Sequence, residues 1–159
     1  MDEDKLNRLP PDVKKQFVKL ALKLSEKKTK TKVNDDFLSF VKHVWPEFIE
    51  GKHHKEIAEK FNQIARGEIK RLIINMPPRH TKSEFASFLL PSWMVGRKPD
   101  LKIIQTTHTT ELAIRFGRKA KTLMDSQEYK QVFKTRLRED SQAAGKWETE
   151  QGGEYYAAG

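Results

Sequence analysis

Cysteine is absent from the 159 residues. That excludes disulfide bridges and thiolate metal sites, and it suits a reducing compartment. Long hydrophobic runs are missing too: no stretch approaches the ~20 apolar residues that a membrane-spanning helix needs. Acidic residues are in deficit, 22 against 31 lysines and arginines, which leaves a formal net charge of +9. Such a surplus favours an acidic partner, nucleic acid first, although a solvated lysine-rich surface has the same composition. The N-terminus "MDEDKLNRLPP" is charged where a signal peptide is apolar, which points to a soluble cytoplasmic protein without a membrane partner. No internal repeat or low-complexity segment breaks the chain. What is present, 36% apolar residues, is enough for one domain with a real core.

Residues 10–29 carry Val13, Phe17, Leu20, Leu22 and Leu24 at near-helical spacing and predict a basic amphipathic helix. The stretch "KKTKTKVN" reads as a linker, so a boundary is expected at residue 34. Asn34 is placed to cap a second helix that Pro46 ends, and a third helix is expected from His53 to Arg66, stopping at Gly67. The pattern then changes. "RLIINM" (71–76) and "LKIIQTT" (101–107) are short apolar runs of the kind found in covered strands. A helix is expected from Ser83, kinked at Pro91, and another over 109–124 with Thr109 or Thr110 as its cap. "SQEYKQVF" predicts a short helix, and "KWETEQGGEYYAAG" two strands around a Gly-Gly turn. The order strand–loop–helix–strand–helix implies an α/β fold with a parallel sheet flanked by helices.

Between the first predicted strand and its helix lies "MPPRHTKSE" (76–84). Phosphate-binding loops have the form G-x-x-x-x-G-K-[ST] in this position, so that backbone amides and a helix N-terminus surround the phosphates. Lys82 and Ser83 occupy the last two places, while Met76 and Thr81 stand where the glycines belong. An exposed lysine beside an ordinary helix cap is the plainer alternative. Two prolines, Arg79 and His80 concentrate stiffness and donor groups at a strand end, where α/β proteins bind ligands, and this favours phosphate binding. No metal-ligand spacing links His43, His53, His54, His80 and His108.

Together with its flanks, this stretch resembles the variant Walker A segment of the large terminase subunit of tailed bacteriophages, an ATPase that drives viral DNA into the procapsid. The likeness spans about residues 35 to 159, through "HVWPEFIEGKHHKEIAEKFNQIARGEIKRLIINMPPRH", "PDLKIIQTTHTTELAIRFGRKAKTLMDSQEYKQVF" and "KWETEQGGEYYAAG". It implies a P-loop NTPase-type fold with ATP and Mg²⁺ as ligands. Residues 1–34 would then form an N-terminal basic helix and linker, and 35–159 a partial ATPase domain that stops before the Walker B strand. By the same resemblance Arg79 and Lys82 are catalytic, with Lys82 on the β and γ phosphates and Arg79 sensing the γ-phosphate. Ser83 is the Mg²⁺ ligand. Pro78, Arg79, His80, Thr81, Lys82, Ser83 and Glu84 line the nucleotide, and His54 lies where related motors recognise adenine. The implied partners are double-stranded viral DNA, a portal protein, a small terminase subunit and further copies in a ring. The implied location is the host cytoplasm, at the procapsid during assembly, outside the mature virion.

Hydrolysis also needs an acid at the end of a buried strand. "LKIIQTT" ends in threonines and no later apolar run follows, so turnover by this polypeptide alone is not expected. Two other readings share parts of the pattern. One is a helicase-like DNA translocase. The other is a basic DNA-binding module without nucleotide chemistry, using the first helix and Arg115, Arg118, Lys119 and Lys121.

Overall fold

A computed structural model describes residues 10–159. The chain is mixed α/β. Three helices come first: α1 (Pro11–Asp35), α2 (Phe37–Val44) and α3 (Lys52–Ala65). After a long connection, α4 (Lys82–Glu84) runs into a π-turn (Phe85–Leu89) and on into α5 (Leu90–Arg97). Strand β1 (Lys102–Thr106), α6 (Thr110–Asp125) and α7 (Gln127–Val132) follow, then β2 (Leu137–Ala143), β3 (Lys146–Thr149) and β4 (Glu154–Ala158).

Helix starts follow local chemistry. Asp36, and not Asn34, caps α2 by accepting the Ser39 amide at 2.7 Å. Thr109 accepts the Leu112 amide at the start of α6, as its spacing predicts, and Ser126 does the same for Tyr129 in α7. The linker expected over 27–34 is helical. No glycine or proline interrupts it, and the Thr29 and Thr31 hydroxyls bond back to the carbonyls of Ser25 and Lys27 at 3.0 Å. Pro91 leaves its usual acceptor one turn back without a donor. The helix answers with the π-turn just upstream, where the Leu90 amide reaches Phe85 O, and with the Ser92 hydroxyl on Phe88 O at 2.7 Å.

The sheet has the order β1-β4-β3-β2. β1 and β4 are parallel, from Lys102↔Glu154 to Thr106↔Ala158, and the other two pairs are antiparallel. It is therefore a mixed sheet, where the sequence implied a parallel one. The tail forms two strands around Gly152–Gly153 as expected, but β2 is an added strand: "LREDSQA" shows no apolar alternation. The 71–76 run forms no strand among the described residues, and Ile73 is 86% exposed. β1 also differs from the covered strand expected. Its Ile103 side is half-buried and Ile104 is 73% exposed, because α6 covers only one face.

Two packing centres hold these layers. Phe37 is fully buried and meets Phe61, Phe85 and Trp93 edge-on at 5.1, 5.3 and 5.4 Å between centroids. On the sheet, Trp147 stacks on Tyr155 at 4.7 Å and 4°. Gly117 lets α6 lie close to that pair, since a Cβ there would come within 2.8 Å of the Tyr155 ring. Phe37→Ala empties the point where α2, α3, the π-turn and α5 meet. It should lower unfolding free energy by about 3–5 kcal/mol in urea titrations, with little change in slope.

Candidate functional site

The connection from α3 to α4 delivers the predicted loop. Residues 71–77 lie outside any helix or strand, Pro78 and Arg79 turn, and α4 begins at Lys82. Arg79 has φ +64° and Thr81 φ +59°, ψ 6°, with the intervening His80 on the ordinary side. Alternation of this kind is the pattern by which successive amides can turn toward one point, as in an anion nest. Among the described residues the amides of Arg79, Thr81, Lys82 and Ser83 donate to no backbone carbonyl, while the turn at Pro78–Arg79 closes on His80.

A β-branched residue in the left-handed region costs about 1–2 kcal/mol, and glycine would avoid it. Here the threonine hydroxyl supplies what glycine lacks. The Gly51 amide donates to His54 Nδ1 at 2.9 Å, which leaves the ring proton on Nε2. That N–H meets Thr81 Oγ1 at 2.6 Å, and the hydroxyl in turn donates to His80 O at 2.6 Å. His53 Nε2, 3.0 Å from His54 Nε2, is then an acceptor, while His80 Nδ1 donates to Pro78 O at 2.9 Å. One chain of bonds thus ties the start of α3 to the bend before α4. His54 is only 6% exposed, with Phe48 and Phe85 at 4.8 and 5.1 Å.

Each predicted site residue has a definite place. Pro78, Arg79, His80 and Ser83 are exposed, while Thr81, Lys82 and Glu84 are half-buried. The Lys82 ammonium folds back across the loop to Met76 O at 3.4 Å, a loose contact that a phosphate oxygen can replace. The donor set is one-sided: amides, an ammonium and the Ser83 hydroxyl, which suits an anion. Ser83 alone would serve Mg²⁺, since that ion keeps most of its water and takes the rest of its ligands from phosphates. No group of three or more His, Cys, Asp or Glu side chains able to hold a metal occurs among the described residues. Glu84 faces elsewhere. Both its oxygens bind Lys119 of α6, at 2.8 and 2.9 Å, and Lys119 also lies 5.3 Å over the Phe88 ring. His54 is buried behind the loop as a support rather than out where a base would stack.

A hollow of about 820 Å³ lies beside the loop rather than in it, between α3 and residues 72–76, lined by His53, Ile57, Lys60, Leu72, Ile74 and Met76 among others. A second, about 730 Å³, sits at the start of α6 with His108, Glu111, Arg115 and Arg118. Sequence reasoning missed Gly51 and the pairing of Lys119, read there as a DNA contact, with Glu84. Gly51 stands three residues before His54, the spacing of a helix cap, and that was the available signal. Nothing local marks that ion pair, whose partners lie 35 residues apart. The chain matches no protein-family model, no curated protein and no solved structure.

Burial holds the His54 pKa below the ordinary histidine value, with His53 and His80 acting in the same direction and Glu50 opposing them. Protonation would also place a donor on Nδ1 against the Gly51 amide. The unfolded chain therefore takes up a proton that the folded one resists. The stability that neutral His54 supplies is whole above about pH 6.5 and is lost as pH falls below it. Urea midpoints should rise from about pH 5 to about pH 7, and His54→Phe, which keeps the packing, should flatten that rise. Thr81→Val keeps the strain and removes the hydroxyl; it should cost about 1–2 kcal/mol by the same measurement.

Proposed function

We propose that this chain carries the nucleotide-binding loop of a DNA-packaging motor of the phage terminase large-subunit type. The observation that supports it best is the geometry of residues 79–83: two left-handed residues around His80, the Arg79, Thr81, Lys82 and Ser83 amides without backbone carbonyl partners, and the Lys82 amine folded across the loop. In this reading the fold is the phosphate-loop end of a P-loop ATPase. Lys82 neutralises the outer phosphates of ATP, Arg79 reaches the terminal phosphate from the exposed side, and Ser83 lends its hydroxyl to Mg²⁺. Bound Mg²⁺ draws charge off the phosphates. The terminase identity itself rests on the sequence resemblance. So do its partners: double-stranded viral DNA, a portal protein, a small terminase subunit and further copies in a ring, meeting in the host cytoplasm. No helix among the described residues is long and apolar enough to cross a membrane.

Among the described residues the parallel strand pair offers no acid at a strand end. β1 ends on Thr106 and β4 on Ala158, and Glu84 is committed to Lys119. Binding of Mg-ATP without turnover is the expected behaviour. Calorimetry with Mg-ATP should give weak, saturable binding that Lys82→Ala reduces about 10- to 100-fold, the worth of a charge-assisted phosphate contact. Equal affinity in Lys82→Ala would contradict the proposal; hydrolysis abolished by that substitution would contradict only the absence of turnover and would show an acid not identified.

The alternative of a basic module without nucleotide chemistry has one observation in its favour, the lysines exposed along α1. It predicts salt-dependent DNA binding that is indifferent to Lys82 and no response to Mg-ATP.

A further inference from the structure

α1 is a 25-residue helix whose sides lie almost wholly in solvent. From Pro11 to Lys32 every residue except Lys14 is exposed. Its attachment is at the far end, where Val33 is buried and its carbonyl accepts the Trp93 indole N–H at 3.1 Å. Helices are sustained mainly by burying an apolar face, and a bare one this long has that face unspent. Val13, Phe17, Leu20 and Leu24 fall at alternating steps of four and three residues, the spacing of a coiled-coil seam. They are 44%, 37%, 57% and 52% exposed. On this register Lys23, Lys28 and Lys30 take the positions flanking the seam, where charge selects the partner.

We propose that α1 is a docking arm for an acidic amphipathic helix of a partner protein. The partner packs side by side on Val13, Phe17, Leu20 and Leu24 and sets carboxylates against Lys23, Lys28 and Lys30. Charge decides the occupant. Between Pro11 and Asp35 the helix carries eight lysines against Asp12, Glu26 and Asp35, so a second copy would meet like charge along the flanks. DNA would engage the lysines and leave the apolar seam in water. A bilayer would cover the seam, but Lys27 continues the seam line one step past Leu24, at a depth where lipid tails offer no acid. A facing helix can place a glutamate there.

The test uses the full chain and a labelled synthetic peptide of four heptads, with Ile and Leu in its seam and glutamate on both flanks. Fluorescence anisotropy should show saturable, salt-sensitive binding in the micromolar range. Leu20→Asp, at a position too exposed to disturb the fold, should weaken it at least about tenfold. Lys23→Glu, Lys28→Glu and Lys30→Glu together should abolish it and create binding to the lysine-flanked version of the same peptide. Thermal unfolding should be unchanged in both variants. No binding, binding indifferent to Leu20→Asp, or failure of the charge-reversed chain to switch peptides would overturn the proposal. Preference for a short DNA duplex, for phosphatidylserine vesicles, or for a homodimer in sedimentation would overturn it as well. None of these readouts involves Lys82, so they stand or fall apart from nucleotide binding.

Discussion

One hydrogen bond, from His54 Nε2–H to Thr81 Oγ1, holds the bend on which the functional reading rests. Without it Thr81 has little reason to stay in the left-handed region, and the amides around it lose their common direction. The bond is itself conditional. It needs the proton on Nε2, and that tautomer is imposed by the Gly51 amide at the start of α3. Phe48 and Phe85 enclose the ring and keep water from competing. Helix cap, imidazole, hydroxyl and strained loop therefore act as one unit, and the unit shares Phe85 with the aromatic cluster around Phe37.

From that unit the structure runs in two directions. Toward the sheet, Glu84 and Lys119 tie the first turn of α4 to the middle of α6, which lies over β1 and β4. A change in the loop would reach α6 through that ion pair and the Phe88 ring beneath it. Away from the sheet, α2 and α3 pass the same aromatic cluster to the base of α1, where Trp93 holds Val33. The loop and the projecting helix are thus joined by packed side chains, although their binding chemistries are separate.

Much of this was legible in the sequence where the information is local. The cap of α6, the helical irregularity at Pro91 and the Gly-Gly turn were each written in a few adjacent residues. What was missed depends on distant partners. An apolar run such as "RLIINM" records a tendency to be buried, not the neighbour a strand needs, so 71–76 came out unpaired. β2 was invisible because "LREDSQA" is a polar edge strand that forms by pairing with β3. "KKTKTKVN" looked like a linker by composition, yet nothing in it breaks a helix. At the site, Lys82 and Ser83 were plain from the motif. The reason Thr81 can replace glycine was not, because its partner His54 lies 27 residues away.

The most direct measurement is of the loop amides themselves. In a ¹⁵N-labelled sample, titration with Mg-ATP should shift the amide resonances of Arg79, His80, Thr81, Lys82 and Ser83 first and most, together with the His54 ring. Shifts confined to the α1 lysines or the Arg115–Arg118 face, with those five amides unmoved at saturating nucleotide, would contradict the account.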